Sequence, residues 1–63
     1  MRLSEFWRRM EEAFGAVYAH SLAQDYRVPA LGRTVAEALD RGDPPQEIWR
    51  AVWAEFELPA KLR

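Results

Sequence analysis

The three glycines and four prolines of this chain constrain its fold more than any other feature. They stand at positions 15, 29, 32, 42, 44, 45 and 59 and leave four uninterrupted segments of short-helix length between them. β-branched residues are scarce, and no stretch alternates apolar and polar side chains over more than a few positions. The sequence therefore predicts an all-α fold, a compact bundle of four short helices that forms a single domain over residues 1–63.

The first segment has the pattern of an amphipathic helix over residues 4–14. Ser4 is a good N-cap, and Glu5 falls in the first turn, where the helix dipole favours an anion. Gly15 is expected to end the helix in the left-handed conformation. One face of the helical wheel is apolar and holds Leu3, Phe6, Trp7, Met10, Ala13 and Phe14.

The second segment predicts a helix over residues 16–26 with a smaller apolar face. Tyr18, Leu22 and Tyr26 fall in one row, with the small side chains of Ala19 and Ala23 beside them. A proline at position 29 pushes the residue before it toward extended backbone, which should end the helix. Residues 28–33 are then expected to form a loop that is pinned by the apolar side chains at positions 28 and 31.

The last two segments carry recognisable start signals. Thr34 and Glu37 have the spacing of a capping box, which predicts a helix over residues 34–41 that ends at Gly42. Asp43 as cap and Pro44 at the first helical position predict a helix over residues 44–57. Its apolar arc holds Ile48, Trp49, Val52 and Phe56. We expect the first and last helices to supply most of the core.

Charge and composition exclude several classes of protein. Nine basic and ten acidic residues give a net charge of −1, which removes a global electrostatic argument for binding nucleic acid or an anionic membrane. No apolar run approaches the roughly 20 residues of a membrane-spanning helix, and the first residues lack the apolar stretch of a secretory signal. Without cysteine, neither disulfides nor thiolate metal sites can form. We expect a cytoplasmic protein without membrane contact.

Several short stretches resemble a family of small actinobacterial proteins of unknown function, and the resemblance covers essentially the whole chain. The stretches are MRLSEFW at 1–7, FG at 14–15, GRT at 32–34, EAL at 37–39 and IWRAV at 48–52, with Phe56 and Pro59. Genes of that family often lie near the recombinase A gene and its regulator, so the resemblance implies a tie to DNA repair. It assigns no activity, cofactor or catalytic residue. Trp53 departs from the family pattern, in which a smaller residue is common.

No set of residues predicts catalysis. His20 is the only histidine, and its neighbours in sequence point to other faces of the helix, so it lacks a nucleophile or carboxylate partner. The acidic residues of the first helix are explained by the i,i+4 pairs Glu5–Arg9 and Arg8–Glu12 rather than by metal ligation. The glycines stand singly and form no phosphate-binding loop. We therefore expect no enzyme, no catalytic residue, no metal and no cofactor.

One alternative function is weak nucleic-acid binding through a helix-turn-helix-like pair in the C-terminal half. Ala38, Gly42 and Ile48 have the spacing at which that motif places a small residue, a turn glycine and a buried aliphatic residue. The match is partial, because the second helix of the pair opens with Asp43 and Glu47. Their negative charge would face the phosphates.

The preferred interpretation is a non-enzymatic interaction module that binds another protein. Three tryptophans, three phenylalanines and two tyrosines are many for 63 residues, although the core needs most of them. Trp53 lies at the margin of the apolar arc with Arg50 close by, and these residue types dominate interface hot spots. Tyr26 and Arg27 complete the candidate interaction patch. The partner and the oligomeric state stay open at this level.

Overall fold

The glycine and proline positions separate four α-helices, as the sequence predicts, in a computed structural model that describes residues 1–63. The helices are α1 (Leu3–Phe14), α2 (Ala16–Asp25), α3 (Val35–Asp40) and α4 (Pro45–Glu55). Two short strands, β1 (Arg27–Val28) and β2 (Arg33–Thr34), lie between α2 and α3, and a 3₁₀ helix (Ala60–Leu62) ends the chain. None of the helices has the length and apolar character needed to cross a membrane.

The N-cap of α1 lies two residues before the predicted one. Ser4 lies inside the helix, and Arg2 occupies the capping position without a side-chain hydrogen bond to the backbone. The Phe6 amide donates to the Arg2 carbonyl at 3.0 Å, which adds a main-chain bond that a start at Ser4 would lack. The prediction of Ser4 as the cap was wrong because a capping residue type does not exclude an earlier start.

Gly15 alone joins α1 to α2. Its amide donates to the Glu11 main-chain carbonyl at 2.7 Å, and its carbonyl accepts from the Ala19 amide at 2.9 Å. The predicted helix end is confirmed, but φ of 88° and ψ of 152° place Gly15 outside the left-handed helical region. These angles belong to a region that only glycine occupies readily, because the chain must turn sharply between two helices within one residue.

The segment predicted as a loop contains a small antiparallel β-ladder, so the all-α prediction is correct only in outline. Arg27 pairs with Thr34 and Val28 pairs with Arg33. The turn is closed by the amide of Leu31, which donates to the Val28 carbonyl at 2.9 Å. Strands of two residues are too short to show an alternating pattern, which is why the sequence does not reveal them. Val28 is buried, as predicted.

Both predicted ends of α3 are confirmed. The Glu37 amide donates to Thr34 Oγ1 at 3.2 Å, and the Thr34 amide donates to Glu37 Oε1 at 2.9 Å, which completes the capping box. At the other end Gly42 has φ of 86°. The amides of Gly42 and Asp43 donate to the carbonyls of Leu39 and Ala38, and together they form a Schellman motif.

The start of α4 lies one residue later than predicted. Pro44 is the capping residue and Pro45 is the first helical residue, and no side chain caps the helix. Asp43, the predicted cap, instead accepts from Arg41 Nε at 3.2 Å. The prediction that Asp43 caps the helix was wrong for two reasons. Either of the two consecutive prolines can occupy the first helical position, and the Asp43 carboxylate binds Arg41 rather than the start of the helix.

The end of α4 is also a Schellman motif, but without glycine. Glu57 has φ of 51°, the only positive value at a residue other than glycine. Its amide donates to the Ala54 carbonyl at 3.3 Å, and the Leu58 amide donates to the Trp53 carbonyl at 3.1 Å. The helix therefore ends at Glu55, two residues before the predicted end.

All four helices and the first strand contribute to one apolar core, so it is shared more evenly than expected. The buried residues are Phe6, Met10, Ala19, Leu22, Ala23, Val28, Val35, Ala38, Ile48, Trp49 and Val52. Two residues predicted on apolar faces lie largely in solvent, Leu3 with 51% and Tyr18 with 56% of their surface exposed. Small alanines in α2 and α3 let these helices approach the core closely, which explains their contribution.

Candidate functional site

The four residues predicted as an interaction patch fall into separate parts of the surface. Arg50 and Trp53 line one groove. Tyr26 lines a smaller depression of about 220 Å³, and Arg27 lines neither. The Tyr26 hydroxyl donates to Glu55 Oε2 at 2.6 Å, and this bond raises the pKa of the phenol above its ordinary value of 10.0. Its ring packs on Phe56, so Tyr26 has a structural role.

The groove that contains Arg50 and Trp53 has a volume of about 350 Å³. Its side chains come from α1, from α4 and from the end of the chain, and they include Arg9, Gln46, Trp49, Arg50, Trp53 and Arg63. We call it the arginine groove. No aspartate or glutamate is among the residues that line it. The residues from α4 follow each other at helical spacing and therefore form one wall.

Two tryptophans hold the end of the chain against this wall. Trp53 Nε1 donates to the Pro59 carbonyl at 3.1 Å, and Trp49 Nε1 donates to the main-chain oxygen of Arg63 at 3.2 Å. The Schellman turn at Glu57 directs the chain back toward α4. Arg63 is thereby brought to the groove, where its guanidinium carbon lies 5.3 Å from the centre of the Trp53 ring. This distance is within the range of a cation–π contact.

The three arginines of the groove differ in how far they are already bound. Arg9 donates from Nη2 to Glu5 Oε2 at 3.0 Å and from Nη1 to the Arg63 main-chain oxygen. The Arg9 hydrogen bond lowers the pKa of the Glu5 carboxyl below its ordinary value of 4.5. The side chains of Arg50 and Arg63 make no hydrogen bond or ion pair within the chain. Their guanidinium donors are therefore free for a ligand.

Arg9 and Arg63 are groove residues that the sequence does not identify. They are 54 positions apart, and only the fold brings them together. The one local signal is the predicted pair Glu5–Arg9, which is confirmed and orients Arg9. The predicted pair Arg8–Glu12 does not form, so Arg8 is exposed and without a partner.

His20 lies on the helix surface, as predicted, but the expectation that it lacks a carboxylate partner was wrong, because a carboxylate of the preceding helix lies beside it. Its ring stacks on Trp7 with 4.3 Å between the ring centres and 11° between the planes. Its Nε2 lies 3.0 Å from Glu11 Oε2. The neighbouring Ser21 hydroxyl donates to Asp25 at 3.4 Å and not to the imidazole. The histidine thus links α1 to α2 and activates no hydroxyl group.

The two helices predicted as a helix-turn-helix-like pair correspond to α3 and α4, and Ala38 and Ile48 are fully buried. The exposed start of α4 presents Glu47 to solvent. No group of three histidine, aspartate or glutamate side chains converges to hold a metal ion. Nucleic-acid binding by this pair stays a prediction.

Comparison with known proteins identifies a family. The family model described as "Protein of unknown function (DUF3046)" matches residues 1–61, nearly the whole chain. No curated protein and no solved structure matches the chain. The match agrees with the resemblance in its coverage of the chain and in naming a family of unknown function, and it adds no activity.

Proposed function

The chain belongs to the DUF3046 family of proteins of unknown function, and from this premise we propose that it is a non-enzymatic interaction module that binds another protein through the arginine groove. One observation carries the proposal. Arg50 and Arg63 place two guanidinium groups without an intrachain hydrogen bond or ion pair in the same groove, beside the partly exposed Trp53. Arginine and tryptophan are the residue types that contribute most to protein interfaces.

The geometry of α4 supports a prepared binding surface. Trp53 is held by its bond to Pro59 and Trp49 by its bond to Arg63, so the wall of the groove is fixed before any partner arrives. A rigid surface loses little side-chain entropy on binding, which favours affinity. Arg50 lies one helical turn before Trp53 and can contact the same group of a partner.

The chemistry of the lining supports binding rather than catalysis. The groove is lined by arginine, tryptophan, glutamine, methionine and alanine. Arginine stays protonated at neutral pH and cannot act as a general base, and the other side chains offer no nucleophile. His20, the residue best suited to proton transfer, is not part of the groove.

The resemblance to proteins encoded near the recombinase A gene supports a partner that belongs to the DNA repair machinery. A cytoplasmic location is part of the same proposal.

The alternative, weak nucleic-acid binding through α3 and α4, predicts micromolar binding to duplex DNA that falls steeply with salt. A titration of salt against binding to a DNA duplex tests it separately.

The test compares two arginine variants with the same change in charge. Arg50→Glu alters the groove, whereas Arg8→Glu alters an exposed arginine on α1 that has no partner and does not line the groove. We expect tagged wild-type protein and Arg8→Glu to capture the same partner from cells, and Arg50→Glu to lose it. Trp53→Ala should also weaken capture while circular dichroism shows that the helices persist. Capture that is unchanged in Arg50→Glu would contradict the proposal.

A further inference from the structure

We infer that the arginine groove recognises an acidic segment of its partner, in which aspartate or glutamate carboxylates are the contacting groups. The inference rests on the proposed function and names the chemistry of the partner. It follows from the charge of the lining, from the state of the arginine donors and from the surfaces of the two tryptophans.

The charge of the lining is the first argument. Arg9, Arg50 and Arg63 line the groove without any acidic residue, although the whole chain carries a net charge of −1. These are three of the nine basic residues, so the rest of the chain carries six basic against ten acidic residues and is acidic in balance. Such a surface attracts a locally acidic segment, and the rest of the molecule gives no general attraction to polyanions.

The free donors are the second argument. Arg50 and Arg63 have no acceptor within the chain, and Arg9 Nε is buried without a hydrogen-bond partner. A guanidinium group presents a planar set of N–H donors that matches the two oxygens of a carboxylate. Inside the chain, Arg9 Nη2 donates to one oxygen of the Glu5 carboxylate at 3.0 Å. Carboxylates from a partner can bind the two arginines that are free.

The tryptophans argue against nucleic acid as the ligand. A protein that binds single strands offers exposed aromatic faces on which bases stack. Trp49 is only 2% exposed, and the Arg63 guanidinium lies over one face of the Trp53 ring, with its carbon 5.3 Å from the ring centre. The groove therefore offers charge and hydrogen bonds but no stacking platform.

The side chains near the arginines define the probe. Met1 and Ala54 line the groove with Trp53, so an apolar residue among the acidic ones has a surface to contact. A suitable probe is a short fluorescently labelled peptide in which aspartates and glutamates flank one leucine. The matched control peptide carries asparagine and glutamine in place of the acidic residues.

Fluorescence anisotropy with the full chain measures binding. We expect the acidic peptide to bind and the amide peptide to bind at least about tenfold more weakly, because charge-assisted bonds to arginine are lost. Arg50→Glu should weaken the acidic peptide by about tenfold or more, and Arg8→Glu by less than about threefold. Absence of binding, or equal weakening by both variants, overturns the inference. Arg50→Gln, which keeps a polar side chain, repeats the test without charge reversal.

Two further measurements separate this inference from the proposed function. In one outcome, capture from cells depends on Arg50 but the acidic peptide does not compete with the captured partner. The proposed binding of a protein through the groove then stands, and the inferred recognition of carboxylates is wrong. If a single-stranded oligonucleotide or a phosphoserine peptide binds the groove more tightly than the acidic peptide, the inference is overturned as well. Competition by the acidic peptide alone supports it.

Discussion

The adjacent helices α3 and α4 differ in how their ends are determined. α3 has six residues and lies between a capping box at Thr34 and a glycine turn at Gly42, both of which are local sequence signals. α4 has eleven residues and lies between Pro44, which has no side-chain cap, and Glu57, which adopts a conformation that favours glycine. Both helices nevertheless end in the same hydrogen-bonded motif.

The difference shows two ways to stabilise a short helix. α3 forms few intrahelical hydrogen bonds, so its capping interactions are a large share of what holds it. α4 buries Ile48, Trp49 and Val52, and both indoles bind the chain that follows the helix. Burial and the returning chain impose the turn at Glu57, whereas the residue type favours the turn at Gly42. Substitutions in the two helices should therefore act by different mechanisms.

The largest effect is expected in the core contact of α4. Ile48→Ala removes a fully buried side chain and should lower the free energy of unfolding by about 2–5 kcal/mol. This loss approaches the total stability of a domain of this size, so Ile48→Val, expected to cost about 0.5–1.5 kcal/mol, serves as the milder variant. Urea unfolding followed by tryptophan fluorescence measures both. A loss below about 1 kcal/mol for alanine would show that α4 does not depend on burial.

The second largest effect is expected when the glycine after α3 is replaced by glutamate, the residue type at the corresponding position after α4. Gly42→Glu should cost about 1–2 kcal/mol, because a side chain at positive φ is strained. A Cβ atom at Gly42 would have no heavy atom within 4 Å, so the cost comes from the backbone and not from a clash. Gly42→Asn is the control and should lose less, since asparagine tolerates this conformation. Equal stability of Gly42→Glu and wild type would contradict the comparison.

The third effect is the reverse substitution at the end of α4. Glu57→Gly relieves the strain at φ of 51° but makes the unfolded chain more flexible. We expect a net gain of up to about 1 kcal/mol, read from the urea midpoint. Alanine at the same position keeps the strain and should give no gain. A clear loss of stability in both Glu57→Gly and Glu57→Ala would mean that the glutamate side chain itself holds the turn.

The smallest effect concerns the capping box under acid. The hydrogen bond from the Thr34 amide lowers the pKa of the Glu37 carboxyl below its ordinary value of 4.5. The ionised form is favoured in the folded state, so its stabilisation is present above the unfolded value and is lost as pH falls through the folded value. Glu37→Gln should show a shallower loss of stability over this pH range. Glu5, whose pKa is also lowered, keeps some acid dependence in the variant. An unchanged slope would contradict the assignment.

The features that sequence predicts correctly depend on residues close together in the chain. The capping box at Thr34 and the turn at Gly42 each need only a few neighbouring residues, so their patterns are visible without the fold. The preference for glycine after a helix also predicts the positive φ of Gly15. Its ψ angle, however, depends on the direction in which α2 packs against the rest of the molecule. The strand pair between α2 and α3 and the turn at Glu57 have no local pattern, because contacts distant in sequence impose them.

The same limit applies to the candidate site. Arg50 and Trp53 lie on one helix, and helical spacing alone places them together. Residue type alone groups Tyr26 with them, but its bond to Glu55 gives it a different role. Arg9 and Arg63 come from the two ends of the chain, and their contribution requires the chain to fold back along α4. No pattern in the sequence indicates that return.

The corner at Gly15 restricts how the length of this chain can change. A residue inserted or removed there would rotate α2 by about 100° about its axis and carry Ala19, Leu22 and Ala23 away from the centre of the molecule. A residue inserted in the exposed turn at residues 29–32 would not rotate a helix in this way. The turn connects two strands whose ladder contains only two residue pairs. Insertions and deletions in related sequences should therefore collect at that turn, while the spacing between α1 and α2 stays constant.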